Sequence, residues 1–161
     1  NQENTINEYI NEEQLRKIST VFLHYGNLES LMAFECNFYN LEMLSLQNNN
    51  IANFNFIKYL PNLFYFDIRN NPISNYDPLL SKNIFGFLGL HVNKYLEKSL
   101  LQIKRLIIGT IFVDLDESYK KYFLANNPNI LFYNNELVLE IDKNNKKEYN
   151  VPSKETKSLS K

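Results

Sequence analysis

The chain has 161 residues, a formal net charge of −1 and an isoelectric point near 6.2. That length suffices for one real core but not for two large domains, and 44% apolar against 22% charged residues describes a folded chain. The near-neutral balance argues against broad electrostatic capture of nucleic acid or membrane, and four glycines disfavour glycine-rich phosphate loops and glycine-dependent tight hairpins.

The single cysteine, Cys36, cannot close an intramolecular disulfide, and none of the 26 asparagines lies in an Asn-x-Ser/Thr sequon. Both observations point away from the secretory route. No run of 18 apolar residues exists, so no transmembrane helix is expected. The chain opens Asn1-Gln2-Glu3-Asn4 rather than with Met, as expected of a processed piece or part of a longer chain. The excess of Asn, Lys and Ile over Arg and Gly reads as AT-rich coding bias.

In chain order, the first predicted element is a helix over about residues 5–16. Thr5-x-x-Glu8 forms a capping box, and Ile6, Tyr9, Ile10 and Leu15 succeed it at roughly helical spacing. Residues 1–17 are thus expected to cap the first repeat. From Ile18 onward a repeat takes over. Its clearest unit is Leu41-x-x-Leu44-x-Leu46-x-x-Asn49-x-Ile51, continued by Phe54, Ile57 and Leu60. A shift of 22 recovers Leu63, Phe66, Ile68, Asn71, Ile73, Tyr76 and Leu79; a second shift of 22 recovers Phe85, Leu88, Leu90, Asn93 and Tyr95. A backward shift of 23 gives Ile18, Val21, Leu23, Gly26, Leu28, Leu31 and Phe34, with Phe38 and Asn40 closing that unit.

The physics of the pattern stands apart from any name. In Leu44-Ser45-Leu46 the apolar residues alternate, as on a strand with one buried face. One such run is too short to be stable; stacked copies pair side by side into a parallel sheet. Past each strand the chain turns inward and leaves backbone groups without ladder partners. Asn49, Asn71 and Asn93 each carry an amide that donates and accepts, so they are expected to satisfy those groups as a scaffold ladder. Gly26 lacks the amide, as suits a terminal unit.

This pattern resembles the leucine-rich repeat family, L-x-x-L-x-L-x-x-N-x-I, in its 22-residue intracellular class, over about residues 18–95. The resemblance implies an α/β fold: a right-handed solenoid with a curved parallel β-sheet, a helical N-terminal cap and a C-terminal cap. It also implies intracellular scaffolding or regulatory work, of the phosphatase-regulator or axonemal type, in cytoplasm, cilium, cytoskeleton or nucleus.

Beyond Asn93 the segment 94–103 reads as a helix with Leu96, Leu100 and Ile103 on one face and Glu97, Lys98, Gln102 and Lys104 elsewhere. A fifth unit is expected at Ile103-x-x-Leu106-x-Ile108-x-x-Ile111-x-Val113. It begins only 18 residues after Phe85, and the next start, Ile130, comes 27 later, so one irregular boundary is needed. Asp114, Asp116 and Glu117 read as a helix N-terminus collecting negative charge. The stretch from Tyr119 through Asn127-Pro128-Asn129-Ile130 to Asn134 resembles the family's terminal repeat, with Asn134 in place of its Asp and Tyr133 in place of its final Leu. Leu137 to Ile141 is expected to fold over the open core edge. The repeats with their cap thus run over 18–141, about five in number, and residues 142–161, with six Lys against three acids, read as a flexible charged tail.

Catalytic patterns are weak. His24 on the first strand and His91 on the fourth stand too far apart, at about 4.8 Å per strand, to share a metal. The Asp114–Glu117 acids lack the ligand count and the Gly of a calcium loop. Cys36 reads as a buried small residue. No catalytic residue, metal or cofactor is therefore expected, and the function class that remains is binding. The residues between core positions face outward on the concave side. Thr20, Met43, Tyr65, Phe87 and, in the fifth unit, Arg105 form one column; Phe22, Ser45, Asp67, Gly89 and Ile107 a second; His24, Gln47, Arg69 and His91 a third. Large apolar groups on consecutive strands beside an Arg have the composition of a protein interface. Phe22, His24, Met43, Gln47, Tyr65, Asp67, Arg69, Phe87 and His91 are the expected contacts for a protein partner. Direct nucleic-acid binding is disfavoured by the scarcity of cations in these columns. A ribonucleoprotein subunit contacting RNA through a partner protein, or a regulatory repeat region of a longer enzyme chain, are the alternative readings.

Overall fold

Short apolar-alternating segments too small to stand alone must find partners in neighbouring copies of themselves, and the computed structural model shows them doing so. It describes residues 12–29, 38–92 and 94–143. Most of the expected N-terminal cap (with Thr5 and Glu8), Leu31, Phe34, Cys36, Asn93 and the tail from 144 onward lie outside the described residues.

The fold is α/β, with one seven-stranded, mostly parallel sheet and several short helices. Helix α1 (Glu12–Lys17) places Leu15 in the core, and its Arg16 carbonyl accepts from Asn40 Nδ2 at 2.6 Å. The strands are β1 (Thr20–Phe22), β2 (Met43–Ser45), β3 (Tyr65–Asp67), β4 (Ile84–Gly89), β5 (Ile107–Phe112), β6 (Asn129–Tyr133) and β7 (Glu136–Leu137), and their order in the sheet is their order in the chain. The first six are parallel; β7 returns antiparallel on β6. Their register obeys the sequence period. Val21, Leu44, Phe66, Leu88, Ile111 and Tyr133 pair in turn, at steps of 22 or 23 residues.

The connections grow more helical along the chain. A 3-10 helix (Asn55–Tyr59) links β2 to β3, α2 (Pro78–Ser81) links β3 to β4, and a 3-10 turn (Lys94–Leu96) with α3 (Glu97–Leu101) links β4 to β5. The ten-residue α4 (Glu117–Asn126) links β5 to β6, and α5 (Glu140–Lys143) ends the described chain. Between sheet and connections lies one continuous core, in which Leu41, Leu44, Leu46, Phe54, Phe66, Ile68, Leu79, Leu88, Ile108 and Ile111 are essentially inaccessible to water. Each such side chain contributes about 1.5–3 kcal/mol of burial free energy, which a three-residue strand could not collect alone.

Asparagine side chains tie each unit to the one before it. Asn49 Oδ1 accepts from the Gly26 and Leu28 amides at 2.9 and 3.2 Å, and its Nδ2 donates to the Leu23 carbonyl at 2.7 Å. Asn71 repeats this on Ile51 N at 3.0 Å and the Leu46 carbonyl at 2.8 Å. The asparagines just before them, Asn48 and Asn70, hold φ of 60° and 58°, in the left-handed region that Asn tolerates better than most residues. Asn127, buried at the other end of the strands, bridges Leu106 N and the Ile103 carbonyl in the same way, and Asn134 takes both backbone groups of Val113. The asparagine excess is therefore structural chemistry, not only coding bias.

Four expectations are corrected. The fifth unit needs no irregular boundary: Phe85, Ile108 and Ile130 pair in register, 23 and then 22 residues apart. The run Ile103, Leu106, Ile108, Ile111, Val113 fits two frames equally well in sequence. Arg105 decides between them, because its φ of 66° turns the chain just before β5 and removes it from the sheet. Tyr95 does not occupy the core position of Ile51 and Ile73 but is 94% exposed, and Val92 is buried nearby instead. Glu97, expected on the polar side of its helix, is buried. Finally, in the segment expected to cover the core edge Val138 turns inward while Leu137 and Leu139 stay exposed. The β6–β7 hairpin turns on Asn134-Asn135, both at positive φ, so asparagine supplies what a glycine pair would.

Asn71→Ala leaves the Ile51 amide and the Leu46 and Ile68 carbonyls buried without that partner, and is expected to lower stability by about 1–3 kcal/mol. Urea unfolding at wild-type midpoint would contradict the bridging role.

Candidate protein-binding face

The sheet has one face on the core, and the opposite face carries the columns that the repeat period brings into line. With the corrected register the first column is Thr20, Met43, Tyr65, Phe87, Thr110 and Phe132, with Leu137 paired to Phe132 at the end. The second is Phe22, Ser45, Asp67, Gly89 and Phe112. Thr110 and Phe112 thus take the places expected for Arg105 and Ile107. The third column continues from His24, Gln47, Arg69 and His91 to Asp114.

Aromatic rings run across this face as a ladder. Phe22, 53% exposed, lies 6.2 Å from the His24 ring and, across β2, 6.2 Å from Tyr65. Tyr65 and Phe87 stack at 4.3 Å and 10°. Phe87 meets Phe112 at 5.5 Å. Phe64, next to the ladder and 62% exposed, lays its ring over Gly86, where any Cβ would collide with it. Phe64, Phe112 and Phe132 were not foreseen. The correct fifth register is the sequence signal for Phe112, and the position of Phe64 one before the ladder residue, opposite a glycine on the next strand, is the signal for Phe64.

Beneath the ladder sits a buried ion pair. Asp67 is 0% exposed, whereas its column position foretold an outward, solvated side chain. Arg69 grips it with a two-pronged contact, Nε to Oδ1 at 3.0 Å and Nη2 to Oδ2 at 2.8 Å, and the Arg69 amide adds a third donor to Oδ1 at 3.2 Å. Gln47 Nε2, two residues past the end of β2, donates to Oδ2 at 2.6 Å. The bond to Asp67 holds the guanidinium above its ordinary pKa, against the opposing effect of burial. Gly89 makes the arrangement possible: a Cβ there would strike the Asp67 carboxylate and come within 3.1 Å of Arg69 Nε. Over that gap the guanidinium carbon reaches the Phe112 ring at 4.9 Å and lies 6.0 Å from Phe87. Burial, and then the nearby Asp67, push the Tyr65 hydroxyl above its usual pKa.

The remaining predicted contacts divide. His24 Nε2 lies 2.6 Å from Ser45 Oγ, which joins the two strands at the polar margin of the ladder. His91 is exposed at the rim of an open depression of about 600 Å³, with Lys94, Tyr95 and Asp114, beyond the ladder. Among the described residues no group of three or more His, Cys, Asp and Glu side chains is placed to hold a metal ion, and no helix is long and apolar enough to cross a membrane.

Acids gather where β5 ends. Asp114, Asp116 and Glu117 are exposed, and two buried groups register them. Burial raises the Glu97 pKa, and Asp116 and Asp114 raise it further against Lys94. Tyr133 is pushed up to about 12, chiefly by burial and then by Asp114 and Glu117. Its hydroxyl is buried without a hydrogen-bond partner; the Leu115 backbone opposes the shift but does not reach bonding geometry.

Arg69→Met strands the Asp67 carboxylate, so a loss of about 3 kcal/mol is expected, at the low end for a buried pair because Arg69 itself is one-third exposed. Adding Asp67→Asn is expected to recover most of it. A double variant no more stable than Arg69→Met would contradict the pairing. For Tyr133, the unfolded phenol ionises near 10 while the folded one waits until about 12. Stability is therefore expected to fall as pH rises through that window, and Tyr133→Phe to reduce the fall while costing nothing at neutral pH. Superimposable alkaline stability profiles would contradict it.

Neither family models nor curated protein sequences match this chain.

Proposed function

We propose that the chain is a leucine-rich-repeat solenoid of the 22-residue class, and that its ladder face, the concave side of the sheet, is an intracellular, non-catalytic binding surface for a protein partner. The observation that carries the reading is the aromatic ladder on the outer face, exposed at Phe22 and half-buried at Tyr65, Phe87 and Phe112. Apolar groups of this size usually lie inside, and a contiguous run of them on an open sheet face is the composition of an interface. The repeated strand register and the asparagine bridges support the family reading. The pair beneath the ladder supports a preorganised surface, because Arg69 and Gln47 hold Asp67 from fixed positions and Arg69 steadies the rings. A protein partner fits better than RNA: the one cation in the three columns is committed to Asp67, and the third column ends at the acid Asp114.

The test is quantitative capture from extracts of the source cell on immobilised wild type, on Phe22→Ser/Phe112→Ser, and on Lys58→Ala, which alters the connecting segment before β3. Proteins retained by wild type and by Lys58→Ala should fall by roughly tenfold or more on the aromatic variant, whose fold is verified separately. Equal retention on all three would remove the ladder from the interface.

A further inference from the structure

The ladder face is not electrically uniform, and its asymmetry says what kind of protein segment fits it. Along the first column one side chain stands on each strand, at about 4.8 Å per strand. An α-helix lying across the strands presents one apolar turn every 5.4 Å or so, close to that spacing, whereas an extended segment presents same-side residues about 6.7 Å apart. Over the span from Tyr65 to Phe132, three strand steps, a helix stays in step to within about 2 Å and an extended segment drifts by nearly 6 Å.

Charge then orients the helix. At the β3 end of this stretch Asp67 and Arg69 neutralise each other. At the β5 end the strand leaves Phe112 and runs directly into Asp114, Asp116 and Glu117, all exposed. Lys120 stands 3.9 Å from the exposed Glu117 and Lys94 lines the same depression as Asp114, so two cations face three acids and the margin keeps a net negative charge. Glu97 and Tyr133, on two separate elements, both feel these acids, so the negative potential extends into the protein.

We propose that the segment bound on this face is a basic amphipathic helix, its apolar stripe laid along Tyr65, Phe87 and Phe132 with Phe112 beside that line, and its Lys or Arg residues along the flank that faces Asp114, Asp116 and Glu117. The proposal rests on the protein-binding reading above and adds the secondary structure and charge of the partner. It also assigns roles: the rings bind, and the three acids choose.

Two synthetic 18-residue helices test it, fluorescein-labelled and identical in an apolar Leu stripe, one with Lys and one with Glu at the remaining positions. Binding to the full chain is read by anisotropy. The Lys helix should bind at least tenfold more tightly than the Glu helix. In Asp114→Asn/Asp116→Asn/Glu117→Gln that preference should shrink to within about threefold. In Phe112→Ser, and separately in Phe132→Ser, the Lys helix should lose at least tenfold, with the fold of each verified by circular dichroism. Equal binding of both helices, lost in the ring variants, would overturn the charge assignment and leave the protein-binding face standing. Lys-helix binding that ignores both ring variants, or no binding by either helix, would overturn the proposal, and the first of these would count against the ladder face itself.

Discussion

Backbone polar groups that leave a strand must find partners, and in this chain asparagine side chains supply them. A strand of three residues has hardly formed before the chain turns away from the ladder and under the sheet. The amides and carbonyls at that turn are buried, and an unpartnered one costs about as much as a good apolar side chain brings in. Asn49, Asn71 and Asn134 resolve this by bonding backward into the preceding unit, and Asn127 does the same where the chain enters a strand, so that each unit is completed only when the next is in place. That dependence fixes the strand register, and the register brings the outer-face columns into line.

The outer face rests on a second constraint of the same kind. Asp67 is a carboxylate with no access to water, on the side of the sheet where water would be expected. It persists because four donors converge on it, and because Gly89 leaves the space that Arg69 needs to close over it. The charge pair contributes little net stability as a replacement for apolar packing. Its consequence is geometric: the guanidinium is held across β4, where it contacts the rings of two strands. The aromatic surface is therefore a set of side chains with fixed neighbours rather than loose apolar groups.

The period was legible because burial repeats it. Leu44, Phe66 and Leu88 are core residues at a constant interval, and they pair as the interval demands. The fifth unit was not legible because its apolar residues alternate by three and two twice over, and only the left-handed turn at Arg105 separates the frames. The column positions of Tyr65 and Phe87 could be read from alternation. The burial of Asp67 could not, since it depends on a missing side chain one strand away at Gly89. Tyr95 and Glu97 exchanged their expected environments because the connection after β4 opens with a 3-10 turn, whose three-residue period shifts the buried side relative to an α-helix.

Binding on this face requires that the aromatic ladder be open to solvent in the free chain. Hydroxyl-radical footprinting with residue-level mass spectrometry measures this directly. Phe22, Phe64 and Phe132 should be oxidised readily, while Phe54, Phe66 and Phe123, of similar intrinsic reactivity but buried, should be protected. Protection of Phe22, Phe64 and Phe132 at the level of the core phenylalanines in the free chain would mean that the face is already covered, and would contradict the account.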